Sequence, residues 1–339
     1  MQVHDPALGE LGWKPFFGHQ IAPDEGNCLP VRIMAVHRGK ITVAGSGIEG
    51  MISSLIPRSR GEEDRPAVGD WLLVDPRSHE PVRLLERTSL FKRRAPVDAR
   101  RLQLIAANVD TLFIVTSCNQ DFNIPRLERY LVLAREVGVK PVVVLTKIDL
   151  TDTPETFRDG AQALQPGLEV ACVNARDPLS VARLAAHCGR GETVALLGSS
   201  GVGKSTLVNT LRGSSSIATQ AIRASDGKGR HTTTGRELHR LEHGGWLLDT
   251  PGMREFQLSD AATGLAEVFD DIVALTLECR FTNCTHESEP GCAIQAAMTA
   301  GSLTPDRLGR WLKLVEEDQG NTGSPAERRT RARKSGTRK

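Results

Sequence analysis

An α/β fold, with a small β-barrel ahead of it and a small cysteine-bearing helical module behind it, is predicted by three observations in this 339-residue chain. From about Pro96 to Leu258, apolar strand-like runs alternate with helical patterns, as in a doubly wound parallel sheet. Ahead of that stretch, five short strand-like runs are punctuated by Gly39, Gly45, Gly47 and Gly69. Behind it, Cys279, Cys284 and Cys292 fall within fourteen residues and enclose His286.

Residues 1–25 are weakly patterned. The five runs are Val31–Val36, Lys40–Val43, Gly50–Ile52, Asp70–Val74 and Val82–Leu85, which predict an OB-like barrel over 26–95. Such barrels often bind RNA and often only contact protein; aromatic residues are too sparse here to support base stacking. Arg83, Arg87, Lys92, Arg93 and Arg94 form a basic stretch leaving the barrel, read either as a nucleic-acid contact or as a solvated edge and linker.

Within 96–258, Thr111–Val115 and Pro141–Leu145 read as buried strands, and Ile124–Glu136 as a helix carrying Leu127, Tyr130, Leu131 and Leu133. The run Val194–Leu197 leads into Gly198-Ser199-Ser200-Gly201-Val202-Gly203-Lys204-Ser205. With the helix read from Ser205 to Asn209, this is the strand–loop–helix setting of a phosphate-binding loop. Its glycines let backbone N–H groups turn toward phosphate oxygens, and the helix start adds positive partial charge. Lys204 is placed to reach the β- and γ-phosphates and Ser205 to ligate Mg²⁺. Asp249 ends the run Trp246–Leu248 and opens Asp249-Thr250-Pro251-Gly252, where a carboxylate can hold Mg²⁺ through water and the Gly252 N–H can sense a γ-phosphate.

Thr146-Lys147-Ile148-Asp149 follows the Pro141–Leu145 strand. Asp149 can accept from the N1–H and N2 amino group of guanine, whereas adenine would leave that carboxylate unpaired. The stem of Lys147 can lie along the base. Thr146 stands where an asparagine is more usual, and the shorter hydroxyl is expected to hold the loop less firmly. After Leu168–Val173, the degenerate loop Asn174-Ala175-Arg176 could offer the Ala175 N–H to guanine O6. Between the phosphate loop and Asp249, the glycine-rich basic segment 223–235 reads as a switch, with Thr233 expected to complete the Mg²⁺ shell.

The base-reading motif thus precedes the phosphate loop, the reverse of the ordinary order. Chain order does not matter if the loops meet in space, so the inversion points to a circularly permuted P-loop GTPase domain binding GTP or GDP with magnesium.

The spacing Cys279-x4-Cys284-x-His286-x5-Cys292 supplies three thiolates and an imidazole, a set suited to tetrahedral Zn²⁺ with no open position, hence one structural ion in a helical domain over 259–320. His19, His37 and His79 have no such company and read as surface residues; Cys28, Cys118, Cys172 and Cys188 read as buried thiols.

Hydrophobic content of 39% and charge of 25% are those of an ordinary soluble protein. No apolar run is long enough to span a bilayer and no signal peptide opens the chain, so a cytoplasmic protein without membrane contact is expected, as a monomer. A tail over 321–339 is expected to be disordered. From Ala326 onward it carries +6 of a net +2, leaving −4 on the rest; it reads either as a nucleic-acid arm or as a solvating tail.

Taken in order, T-K-x-D, G-S-S-G-V-G-K-S, G-R-H-T-T-T, D-T-P-G and C-x4-C-x-H-x5-C resemble the ribosome small-subunit-dependent GTPase A (RsgA/YjeQ) family over nearly the whole chain. The resemblance implies a GTPase acting late in maturation of the small ribosomal subunit, activated by the subunit and contacting its rRNA. Met253 occupies the place where many GTPases carry a water-orienting glutamine, so slow intrinsic hydrolysis is expected, with His231 as the candidate for positioning water. Two other classes remain open: an RNA-binding adaptor with a structural nucleotide, and an ATP-using P-loop enzyme.

Overall fold

The computed structural model describes residues 5–57, 61–94, 102–213, 237–249 and 258–322. They group into two compact units, one drawn from 1–122 and 138–256, the other from 123–137 and 257–339.

The first unit opens with two short helices, α1 (Pro6–Glu10) and α2 (Pro15–Gly18), each with proline in its first turn. Five strands follow: β1 (Leu29–Val36), β2 (Lys40–Gly45), β3 (Ile48–Ser53), β4 (Trp71–Val74) and β5 (Pro81–Leu84). They pair antiparallel in the order β3–β2–β1–β4–β5 around Val31, Ile33, Ile41, Val43, Leu72 and Val74. No pairing joins β3 to β5 among the described residues, so the barrel is partly open, as the OB-like reading expects. Residues 5–25 lack periodicity because they pack through single large side chains: Leu8 and Phe17 are buried with Trp71, Leu73 and Leu85.

The basic stretch after the barrel folds back rather than leaving. Strands β6 (Leu90–Arg94) and β7 (Leu102–Ala107) form an antiparallel ribbon that the sequence did not announce. Arg83 is bonded to Glu25, Arg87 to Asp70, Lys92 to Glu63 and Arg93 to Gln103. Four of the five cations are therefore engaged within the unit.

Next come β8 (Thr111–Ser117), helix α3 (Ile124–Glu136, part of the second unit), β9 (Lys140–Thr146), α4 (Pro154–Gln162), β10 (Glu169–Cys172), α5 (Pro178–Val181), β11 (Thr193–Leu197), α6 (Lys204–Leu211), β12 (Glu237–Arg240) and β13 (Trp246–Asp249). The order β10–β9–β8–β11–β13 is parallel throughout, and β12 is antiparallel to β13. β8, β9 and β11 are almost uninterrupted apolar runs, which is why they occupy the buried centre of the sheet. One bridge, Ala35 to Glu237, continues the sheet into the barrel. There Arg32 of β1, fully buried, donates to Leu11 O (2.5 Å) and to Thr193 Oγ1 at the start of β11 (2.7 Å). Burial lowers its pKa to about 10, against the pull of Asp110 and Asp70, so the guanidinium stays charged.

The second unit holds α3 and the helices α7 (Ala262–Val268), α8 (Asp270–Leu277), α9 (Ala293–Thr299) and α10 (Pro305–Asn321). Asn123 caps α3 by accepting from Arg126 N, and Pro125 sits in its first turn, so the helix starts where the sequence places it. Glu128 of α3 is fully buried between two arginines of α10: Arg307 Nη1 at 3.1 Å and Arg310 Nε at 2.6 Å. Arg307 also forks onto Asp271 (2.8 and 2.9 Å), donates to Val268 O and lies over the Phe269 ring. Glu128→Ala should destabilise the second unit by about 3 kcal/mol, because it takes the carboxylate from Arg310 and leaves Arg307 to Asp271 and Val268 O. Urea unfolding followed by hydrogen exchange in 258–322 reads this; a loss under about 1 kcal/mol would mean the arginines find other partners.

Candidate nucleotide site and metal centre

Because β8, β9, β10, β11 and β13 are parallel, the loops after them all leave the same edge of the sheet. Four of these are the predicted motifs: 146–149 after β9, 174–176 after β10, 198–205 after β11 and Asp249 at the end of β13. The inverted chain order is thereby reconciled with a single site.

The phosphate loop is shaped by close backbone approach. A Cβ on Gly198 would lie 2.2 Å from Val115 O, and Gly203 caps α6 at φ 91°. Ser200, Gly201 and Ser205 are exposed, Ser199 and Thr206 are half-buried and Val202 is packed in the core below them. Lys204 Nζ donates to Gly198 O at 2.8 Å and to Ser199 O, which closes the loop on itself.

The base-reading loop is fastened to the phosphate loop through Thr146. This residue is fully buried, with Oγ1 3.1 Å from Thr116 O and 2.5 Å from Val202 O. The short hydroxyl therefore makes a direct link, contrary to the looser hold expected of it. Lys147 adopts φ 58°, turning the chain so that Asp149 is exposed in a single 3₁₀ turn, and its Nζ lies 3.9 Å from Asp121. Asp121 was not anticipated from sequence; nothing but its place in the turn after β8 marks it. In the third loop, Asn174 Oδ1 accepts from Arg176 N, while Asn174 N donates to Ser180 Oγ. Ala175 is buried. Asp249 ends its strand in register with Glu237. Gly252, Thr233, His231 and the tail from 323 lie outside the described residues.

In the second unit the ligand atoms of Cys279, Cys284, His286 and Cys292 lie within 4.8 Å of one another. His286 Nδ1 is 3.6 Å from the sulfurs of both Cys279 and Cys292, and those sulfurs are 3.9 Å apart. Zn–S bonds of about 2.3 Å in a tetrahedron require ligand separations near ~3.7 Å, so the donor set fits zinc. Outside it, Gln295 Nε2 donates to His286 O at 2.5 Å. Glu289 accepts from Thr285 N and Oγ1 and from the N–H groups of Glu287 and Ser288; these bonds hold its carboxyl down to about 2. His19, His37 and His79 are exposed. Of the scattered thiols, Cys118 and Cys188 are buried, and burial pushes them up to about 11 and about 12; Cys28 and Cys172 are only partly covered.

The RsgA GTPase family model matches residues 84–259. A small ribosomal subunit biogenesis GTPase RsgA of Mesorhizobium japonicum is 52% identical over 321 residues, covering 94% of this chain and 91% of that protein. The chain belongs to the RsgA GTPase family. It is a GTP hydrolase of circularly permuted architecture, and family membership implies magnesium with GTP. A small ribosomal subunit biogenesis GTPase RsgA 2 of Vibrio parahaemolyticus is 46% identical over 97% of this chain and 90% of its own length. In fold, the chain matches YjeQ from Thermotoga maritima (TM-score 0.62, 22% identity, 86% of this chain and 99% of that one). It also matches YloQ, a circularly permuted GTPase (TM-score 0.61, 24% identity, 89% and 99%).

Thr146→Val removes the hydroxyl that joins two nucleotide loops. GDP affinity should fall about tenfold, the worth of one buried hydrogen bond with its acceptors left bare, and Thr146→Ser should restore it. Equilibrium titration checks this; equal affinity in the valine variant would show that the link does not hold the site.

Proposed function

We propose that this GTPase acts in the cytoplasm as a monomer on the maturing small ribosomal subunit, binds its rRNA, and hydrolyses GTP slowly until the subunit stimulates it. The observation that carries this reading is the convergence of the base-reading, phosphate and Asp249 loops on one sheet edge, in a chain about half identical to a named small ribosomal subunit biogenesis GTPase. Its domains are an N-terminal segment (1–25), the barrel (26–95), the GTPase domain (96–258), the zinc domain (259–320) and the tail (321–339).

In this reading the N–H groups of 198–206 cradle the phosphates and Lys204 exchanges its loop carbonyls for phosphate oxygens. Ser205 and Thr233 would hold Mg²⁺, with Asp249 supporting it through water, and the Gly252 N–H would read the γ-phosphate. When bound, magnesium would supply positive charge against the charge that develops on the transferred phosphoryl group. Thr146, Lys147 and Asp149 select guanine, aided by the loop of Asn174 and Ala175. His231 positions water in place of the glutamine that Met253 supplants. Cys279, Cys284, His286 and Cys292 hold one structural zinc, with no position left for catalysis. No described helix is long and apolar enough to cross a membrane, in keeping with a ribosomal partner.

Turnover of GTP and ATP, with and without purified small subunits, is the direct test. Stimulation confined to GTP and abolished by Lys204→Ala is expected. Binding to the subunit without turnover would instead favour an adaptor with a structural nucleotide, and a preference for ATP would sink the base-site assignment.

Metal analysis should give one zinc per chain, and a strong chelator should raise hydrogen exchange across 279–303. Retention of full protection after complete metal removal would contradict a structural ion.

A further inference from the structure

In the loop 174–177 one backbone N–H differs from its neighbours. The N–H groups of Val173, Asn174, Arg176 and Asp177 are all bonded within the protein, to Leu145 O, Ser180 Oγ, Asn174 Oδ1 and Asn174 O. That of Ala175, on a residue only 6% exposed, has no partner among the described residues. A buried N–H without a partner is uncommon and costly, and here it stands at the carboxyl edge where the nucleotide loops gather.

The carbonyl of the same residue is held from a different element. Thr210, in the last turn of α6, places Oγ1 2.7 Å from Ala175 O and 3.1 Å from Thr206 O. A helical threonine ordinarily returns its hydroxyl to the carbonyl four residues back; here the shorter contact goes across the fold, 35 residues away in sequence. The apolar surroundings leave the peptide little freedom to turn otherwise, since Ala175, Val202, Leu207, Val208 and Leu211 share one buried cluster. Fixing this carbonyl fixes the Ala175–Arg176 peptide, and with the Asn174 N–H held by Ser180 Oγ and the Arg176 N–H by Asn174 Oδ1, the intervening peptide that carries the Ala175 N–H is anchored on both sides. α6 begins at Lys204, so one rigid helix ends in this anchor and starts at the phosphate loop.

We propose that Thr210 is a positioning residue for base selection, its hydroxyl orienting the Asn174–Ala175–Arg176 loop so that the free Ala175 N–H meets the O6 acceptor of guanine. The inference rests on the guanine-site reading above and deepens it. It extends recognition to a residue that belongs to none of the sequence motifs and touches no ligand itself.

The test is competition binding of GDP, IDP and ADP to the full-length protein, in wild type and in Thr210→Val, Thr210→Ser and Asp149→Ala. Thr210→Val keeps the shape of the side chain and replaces its hydroxyl by a methyl, which removes the hydrogen bond to Ala175 O. GDP and IDP, which both carry O6, should weaken together by about 5- to 10-fold, the effect of one misdirected hydrogen bond, while ADP should not weaken. Thr210→Ser should recover the GDP preference, and a melting curve for each variant keeps loss of fold separate from loss of selection. Equal weakening of all three nucleotides, or none, would overturn the role of Thr210. Should Thr210→Val be silent while Asp149→Ala erases the preference for GDP over ADP, the guanine site stands and this inference alone fails. Should Asp149→Ala also leave the preference intact, both fail together.

Discussion

One buried hydroxyl bears on everything the nucleotide loops do. Thr146 stands at the end of β9, and its Oγ1 reaches Thr116 O on the neighbouring strand and Val202 O in the phosphate loop. Base recognition and phosphate binding come from segments more than fifty residues apart, and a ligand that spans both needs a fixed distance between them. A flexible join would have to be ordered at each binding event, at an entropic cost taken directly from affinity. The hydroxyl needs no length to do this because Gly203 brings the phosphate loop close: a Cβ there would sit 3.4 Å from Thr146 Oγ1.

Permutation is tolerable for a related reason. Five parallel strands send their following loops to one edge whatever order the chain visits them in, so the site depends on strand direction and neighbour relations rather than on sequence order. What the permuted order does change is the company the sheet keeps. β12 and β1 are joined by a single bridge, and Arg32 reaches from the barrel to Thr193 at the foot of the strand that bears the phosphate loop. Its second hydrogen bond is to Leu11 O, and Trp246 Nε1 donates to Glu10 O, so the first residues of the chain tie down both β1 and β13. A fully buried guanidinium is stabilising only with its donors met, and Nε remains without an acceptor in the described structure. That arrangement fixes position at some expense in stability.

Much of this was legible in the sequence where the signal is local. Helix α3 begins and ends at the residues its cap, proline and periodicity indicate, and the motif loops follow strands that read as continuous apolar runs. What escaped depends on pairings distant along the chain. β6 is brief and basic, β7 is brief and apolar, and only their mutual ladder makes them strands, with Arg93 opposite Gln103 and Lys92 opposite Leu104. The amino-terminal segment has no period because Leu8, Phe17 and Trp13 act singly, each against Trp71 or its neighbours. Asp121 and Thr210 carry no motif at all. A hydroxyl or a carboxylate becomes informative only when its acceptor or cation is known, and sequence spacing does not encode either.

The second unit shows the same division between residues that do chemistry and residues that hold shape. Three thiolates and one imidazole would leave a tetrahedral ion no free position, so an ion held here would act by tying together Cys279, the 284–286 turn and the start of α9. Polar side chains support that turn independently of any metal: Glu289 gathers three backbone N–H groups of the loop, and Gln295 holds the carbonyl of His286, whose own φ of 64° the turn requires. Without such a frame, three converging sulfurs would repel one another on deprotonation and the site would have to be assembled by the ion alone. With it, the ligand atoms stand within 4.8 Å of one another, and the free energy of binding an ion there would add to folding free energy rather than being used to order the loop. Glu128 does the corresponding work for α3, which chain order inserts between β8 and β9 but whose buried carboxylate pairs only with arginines of α10. The unit is thus defined by two polar centres that its apolar helices could not specify by themselves, since burial alone does not choose between one helix register and the next.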